Sequence, residues 1–239
     1  IQPCSIYEGK VKLGFNKSIQ GRLSVNAIDA LLNVAAQVKS CEKCALHFSR
    51  KLSVPGEGPA NAELMFIGEG PGFYENEQGR PFVGQAGKFL DELLETAGLK
   101  RSDVFICNVV KCRPPGNRDP LPEELSACGV YLDQQIEAID PCVIVTLGRF
   151  SMAKFLPNVR ISDVHGQARM VNNRLIVPMF HPAAALHQPS LKPQIIADFK
   201  LLPKALEQVK KDSRKIPVIE VPSEETVLDE NPTEQMSLF

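Results

Sequence analysis

Four cysteines in two separated segments carry the first chemical signal: Cys41 and Cys44 in CEKCALH, and Cys112 and Cys128 around the loop RPPGNRDPLP. A C-x-x-C knuckle presents two thiolates to one metal, and a second pair can complete the set. Four thiolates suit a structural zinc or an iron–sulfur cluster. Ligand softness does not choose between those two. Seven cysteines in all, an odd number, disfavour a disulfide framework. Cys107 and Cys142 lie in apolar runs and read as core residues.

A second set of residues combines an acid, an amide and an imidazole. Glu69 sits in GEGPG, Asn108 in ICNVV and His181 in FHPAA, each just after or near the end of an apolar run. Sites in open parallel sheets form beyond the carboxyl ends of strands, so these three groups should meet at one edge. GEGPG lacks the G-x-G-x-x-G spacing, and no phosphate-binding G-x-x-x-x-G-K-[ST] occurs. No nucleotide cofactor is expected.

The elements that must position these groups are legible as alternating patterns. Residues 63–68, 104–110, 142–147 and 174–180 read as four buried strands. Residues 26–38, 87–97, 122–139, 148–155 and 194–210 read as helices, the third opening on Pro122. Strands separated by helices imply right-handed crossovers. The expected fold is α/β, with a central four-stranded parallel sheet between two helical layers.

Of the 239 residues, 44% are hydrophobic and 23% charged, the balance of a globular chain and not of a disordered one. No run reaches the roughly 18 apolar residues of a membrane span. No basic-then-apolar leader is legible near residue 1, and a cytoplasmic location is expected. The net charge of −1 conceals a division: no Lys or Arg follows Lys215, whereas six acids do. With those set aside, 27 basic residues face 22 acidic ones, which is compatible with an anionic partner.

Taken in order, CEKCALH, MFIGEGPGFYENEQGRPFVGQAGKFLDELL, ICNVVKCRPPGNRDPLPEELSAC, VTLGRFS and MFHPAAAL closely resemble the family 4 uracil-DNA glycosylases. These are the iron–sulfur branch of the uracil glycosylase superfamily, and the resemblance covers residues 28–206. It implies a three-layer α/β/α fold and a structural 4Fe–4S cluster on Cys41, Cys44, Cys112 and Cys128. It also implies a monofunctional enzyme that flips uracil from DNA and hydrolyses its N-glycosidic bond, acting as a nucleoid-associated monomer. Phe82 matches the family's stacking position, and Asn108 offers the acceptor and donor reciprocal to uracil N3–H and O4. His181 matches the donor to uracil O2. Glu69 and Glu75 match the carboxylates expected to hold water or stabilise the sugar cation, and Gly70 stands where a better-known branch has Asp. Asn117 is expected at the substrate, and Lys111, Arg113 and Arg118 at phosphates.

Two departures qualify the match. His187-Gln188 replaces an Arg-Asn segment after HPAA, and no basic KRRIH-type insertion precedes Cys128. Turnover is therefore expected in place of covalent capture. The rival readings are a non-catalytic iron–sulfur DNA-binding module and a glycosylase of wider base range.

The domain reading is an extension of unknown role at 1–25, a glycosylase domain at 26–212, and a flexible acidic linker at 213–234. The last five residues resemble the short peptide by which bacterial repair proteins dock on the sliding clamp, with Gln235, Leu238 and Phe239 as anchors.

Overall fold

In the computed structural model the described residues are 17–172 and 174–213, with side chains described between 26 and 211. The last five residues and nearly all of the linker lie outside them. Along the chain come α1 (Lys17–Lys39), β1 (Leu64–Gly68), α2 (Phe73–Gln78), α3 (Gln85–Thr96) and β2 (Phe105–Asn108). These are followed by α4 (Pro122–Ile139), β3 (Val143–Leu147), α5 (Arg149–Ala153), α6 (Ile161–Val164) and β4 (Arg169–Val171). The remainder is β5 (Arg174–Met179), α7 (Pro182–His187), α8 (Lys192–Phe199) and α9 (Leu202–Ser213).

The sheet order is β2-β1-β3-β5-β4, with the first four strands parallel. The expected α/β architecture holds, but among the described residues the sheet has five strands, not four. The extra strand, β4, is a three-residue edge that runs antiparallel to β5. Its residues are largely exposed, so no apolar run marks it. Asn172, at φ 48°, turns the chain between the two. The helix expected at 26–38 begins earlier, at Lys17, and so runs into the expected extension.

Because strand side chains alternate, each parallel strand feeds both faces. Phe66, Val143, Val145 and Val177 pack with Leu90, Leu93 and Phe199 on one face. Met65, Ile67, Ile144 and Ile176 pack with Leu132 and Ile136 of α4 on the other. A third, smaller core joins Val34 and Val38 of α1 to Leu46, Val110 and Tyr131. Cys112 and Cys128 belong to it, with Cys41 and Cys44 packed against it. Cys142, expected as a plain core residue, is buried and disulfide-bonded.

β2 stops at Asn108, earlier than its apolar pattern suggested, because the chain then bends toward β1's end. Val109 N–H donates to Gly68 O at 3.0 Å and Val110 N–H to Glu69 O at 3.1 Å. This zipper brings the two strand ends together. At the start of α4, the Glu124 carboxylate accepts Leu121 N–H and a two-pronged contact from Arg118. That contact with Arg118 chiefly holds its carboxyl below the ordinary range.

Candidate active site and cysteine-lined cavity

Gly68, Phe82, Asn108 and His181 converge at the carboxyl edge of the sheet. A methyl group placed on Gly68 would strike Asn108 Oδ1 and lie 2.7 Å from Phe82 Cζ. Only glycine lets both side chains close over the strand end. The Phe82 and His181 rings are stacked, with centroids 5.5 Å apart and planes 27° off parallel. Asn108 is 2% exposed, and its Oδ1 has no hydrogen-bond partner among the described residues. A buried amide oxygen without a donor is costly in a folded chain and marks a place where a ligand donor belongs.

Phe82 is held in the left-handed region at φ 51°, a strained conformation for a bulky residue. Its neighbours account for its persistence. Arg101 donates to Pro81 O at 2.7 Å and to Phe82 O at 3.3 Å, and is itself paired with Glu57 and Asp91. From the other side Glu75 Oε1 accepts Val83 N–H at 3.0 Å and Gly84 N–H at 3.1 Å. Gly87 of α3 lets the helix pass directly against the Phe82 carbonyl, where any side chain would collide. Glu75 thus clamps the loop that presents Phe82.

His181 caps α7, its Nδ1 accepting Ala183 N–H at 3.1 Å. In the neutral ring the proton therefore sits on Nε2, which becomes the donor. Burial pushes the imidazole down to about 4, with Glu75 opposing it. The ring is a neutral donor at physiological pH.

Glu69 is half-buried, and that burial pushes its carboxyl up. Asp119 adds to the shift and Arg149 offsets it. Asp119 and Arg149 form an ion pair. Sequence reasoning passed over Arg149, although it opens the helix after β3 in VTLGRFS, the same position in the fold that marked the other site residues. Gly70 follows Glu69 and lies against Val110.

The basic residues around Cys112 point in different directions. Lys111 is 1% exposed and buried among polar acceptors, so it cannot meet a phosphate; its apolar neighbours Val109 and Val110 carry it inward. Arg118 is committed to Glu124, with 39% of its side chain still exposed. Asn117 is exposed, and its Oδ1 accepts Arg113 Nε at 2.8 Å. Arg113 lies over the exposed Phe73 ring at 5.3 Å.

Cys41, Cys44, Cys112 and Cys128 line one cavity together with Arg50, Lys111 and Tyr131. Among the described residues no group of three His, Cys, Asp or Glu is placed to hold a single metal ion. A zinc would need its sulfurs to converge on one point about 2.3 Å away. The four thiols line one cavity, and four thiolates equally suit an iron–sulfur cluster with one thiolate per iron. Each sulfur also has an N–H donor. Lys43 N–H serves Cys41 at 3.5 Å, Leu46 N–H serves Cys44, Arg50 Nη1 serves Cys112 at 3.7 Å and Lys111 N–H serves Cys128 at 3.2 Å. Burial raises the thiols of Cys44, Cys112 and Cys128, the last to about 11. Metal charge would reverse that preference and release the protons. Arg50, which sequence reasoning also missed, additionally donates to the carbonyls of Cys41 and Lys39. Lying outside the cysteine spacing, it gave no signal.

A profile described as the uracil DNA glycosylase superfamily matches residues 55–207. The type-4 uracil-DNA glycosylase of Archaeoglobus fulgidus is 46% identical over 183 residues, covering 72% of this chain and 92% of that one. That of Thermotoga maritima is 46% identical over 160 residues, or 66% and 83% of the two chains. A type-5 uracil-DNA glycosylase of Pyrobaculum aerophilum is 31% identical over 148 residues, covering 54% and 65%.

Proposed function

The chain belongs to the uracil DNA glycosylase superfamily, and from that premise we propose how its residues excise uracil from DNA. It is a monofunctional DNA glycosylase of repair: it hydrolyses the N-glycosidic bond of uracil and leaves an abasic site. Reaching the base requires flipping it from the stack, at a cost of a few kcal/mol.

The observation that carries the residue assignment is the buried Asn108 Oδ1 beside the Phe82 ring, without a hydrogen-bond partner among the described residues. Phe82 gives the flipped ring a flat face. Asn108 Oδ1 accepts uracil N3–H while Nδ2 donates to O4. Cytosine offers the reverse pattern and leaves both groups mismatched, which can separate bases by orders of magnitude. Bond cleavage builds negative charge on the leaving base, and the neutral His181 ring donates from Nε2 to O2 as that charge grows. Glu69 faces the developing sugar cation or its attacking water. Glu75 works mainly through the Phe82 loop it clamps.

Cys41, Cys44, Cys112 and Cys128 hold a 4Fe–4S cluster that, when bound, supplies a structural cross-link and no bond-breaking chemistry. That cross-link would tie the segment after α1 to the chain after β2 and to α4 itself. Arg113 and the exposed face of Arg118 contact DNA phosphates. Residues 26–212 form the catalytic unit, working as a monomer at the nucleoid. Among the described residues no helix is long and apolar enough to cross a membrane. Gln235, Leu238 and Phe239 dock on a sliding clamp. Truncation after Glu234 should abolish clamp retention and spare excision from short oligonucleotides; unchanged retention would refute the docking.

The deciding assay uses anaerobically purified protein on an end-labelled oligonucleotide with one uracil. Alkali-labile cleavage only at uracil, with cytosine gained in Asn108→Asp, is expected. Abundant cluster-loaded protein that yields no abasic site would overturn the assignment.

A further inference from the structure

Lys111 is the buried charge that the pocket and the cysteine cavity share. An ammonium taken out of water is tolerated only where hydrogen bonds and an opposite charge meet it. Its Nζ donates to Asn108 O at 2.8 Å and to Gln135 Oε1 at 2.6 Å, and its side chain also bonds Cys107. Those acceptors are uncharged. None of the ion pairs among the described residues includes Lys111.

On the cavity side stand thiols that would carry negative charge once ligated to metal. Lys111 lines the cavity with the four cysteines, and its own N–H donates to Cys128 Sγ at 3.2 Å. On the pocket side it holds the carbonyl of Asn108, the residue whose amide faces Phe82. Gln135 is a built anchor and not a chance contact, because its Nε2 donates in turn to Pro55 O at 2.7 Å. The hydrogen-bonded chain therefore runs from Cys128 through Lys111 to the base-reading strand end.

We propose that Lys111 is a positioning residue that couples the cluster to base reading: its ammonium takes its counter-charge from the cluster thiolates and, from the same place, fixes the Asn108 main chain. This rests on the glycosylase reading and on the cysteines holding the cluster. Through this link the state of the cluster would bear on recognition of the base. Where the cluster is lost, the ammonium loses its counter-charge and the Asn108 carbonyl its anchor.

The test compares cluster-loaded wild type, Lys111→Met and Gln135→Leu, each matched for iron and sulfide content. The readouts are the cluster midpoint potential, inhibition by free uracil, and kcat against KM on a uracil oligonucleotide. Lys111→Met should shift the potential to more negative values, because a nearby positive charge favours the reduced cluster. It should also weaken inhibition by uracil about tenfold, as loss of an outer-shell partner does. Gln135→Leu keeps the charge and cuts one anchor, so uracil inhibition should weaken while the potential stays at the wild-type value. A loaded Lys111→Met with wild-type potential and wild-type uracil inhibition would overturn the proposal. Where Lys111→Met fails to load, wild-type uracil inhibition in Gln135→Leu would overturn it equally. Wild-type protein that releases no uracil would refute the glycosylase reading instead, and the potential shift would still decide whether the ammonium serves the cluster.

Discussion

If His181 acts as a neutral donor, changing pH between 8 and 5 should leave its contribution untouched. Burial lowers the ring from 6.5 to about 4, so its protonation state barely changes across that range. An imidazole of ordinary pKa whose neutral form was required would cost about tenfold per pH unit below 6.5. Protonation also places a proton on Nδ1, which breaks the acceptor contact with Ala183 N–H and disturbs the cap that aims the ring. An acid limb should come from Glu69, whose carboxyl burial pushes up from the ordinary carboxylate range. Glu69→Gln should remove that limb and expose the lower one of His181. Replacing His181 by Ala deletes one preorganised donor and should lower kcat by about 10²–10³, roughly 3–4 kcal/mol, with KM little changed. The assay is single-turnover uracil release from pH 4.5 to 9, with cluster absorbance followed in parallel. An inflection near 6.5 that vanishes in His181→Ala would refute the reasoning, because the ring would then be titrating as a general acid or base. Stability carries the same signature. The unfolded ring binds its proton near 6.5 and the folded ring only near 4, so stability is complete above the upper value. It declines as pH falls through that window, by at most about 3 kcal/mol.

Three further outcomes follow from the geometry. Gly68→Ala places a methyl group 2.7 Å from Phe82 Cζ and against Asn108 Oδ1, so excision should fall about 10²-fold while the chain stays folded; wild-type rates would show that the strand end yields freely. Glu75→Ala frees two N–H groups beside Phe82 and should cost about 1.5–3 kcal/mol of stability and weaken uracil inhibition. Glu75→Gln keeps a carbonyl acceptor and should recover most of both, whereas equal loss in the two variants would mark the carboxylate as chemical. Cys128→Ser should lower bound iron and sulfide and the melting temperature together; full loading would remove Cys128 from the ligand set.

How much of this was legible in the sequence follows from the range of the signal. Apolar runs bounded by glycine and proline gave the parallel strands and their crossovers, because a strand buried on both faces must be apolar throughout. β4 escaped notice because an exposed three-residue edge has no such run. Asn108 and His181 were legible because a parallel sheet sends every strand end to one edge, whatever the side-chain details. Their burial, and an Oδ1 with no partner among the described residues, were not, since each depends on residues distant in the chain; the His181 tautomer rests on a local cap that forms only once α7 is in place.

Side-chain direction shows the division most clearly. Composition and position marked Lys111, Arg113 and Arg118 as one basic, phosphate-facing group. The fold sent the first inward, laid the second over Phe73 and tied the third to Glu124. Glu75 matched by position a carboxylate expected to hold water or stabilise the sugar cation, and the tertiary structure adds its two hydrogen bonds to the strained loop that presents Phe82. By itself the sequence determined the strand order's raw material, the four thiols and the chemical kinds of group at the sheet edge, because these follow from residue type and short-range pattern. Only the tertiary structure decided which charges meet solvent and which amide goes unpaired, because burial and hydrogen bonding are settled by what the rest of the chain brings alongside.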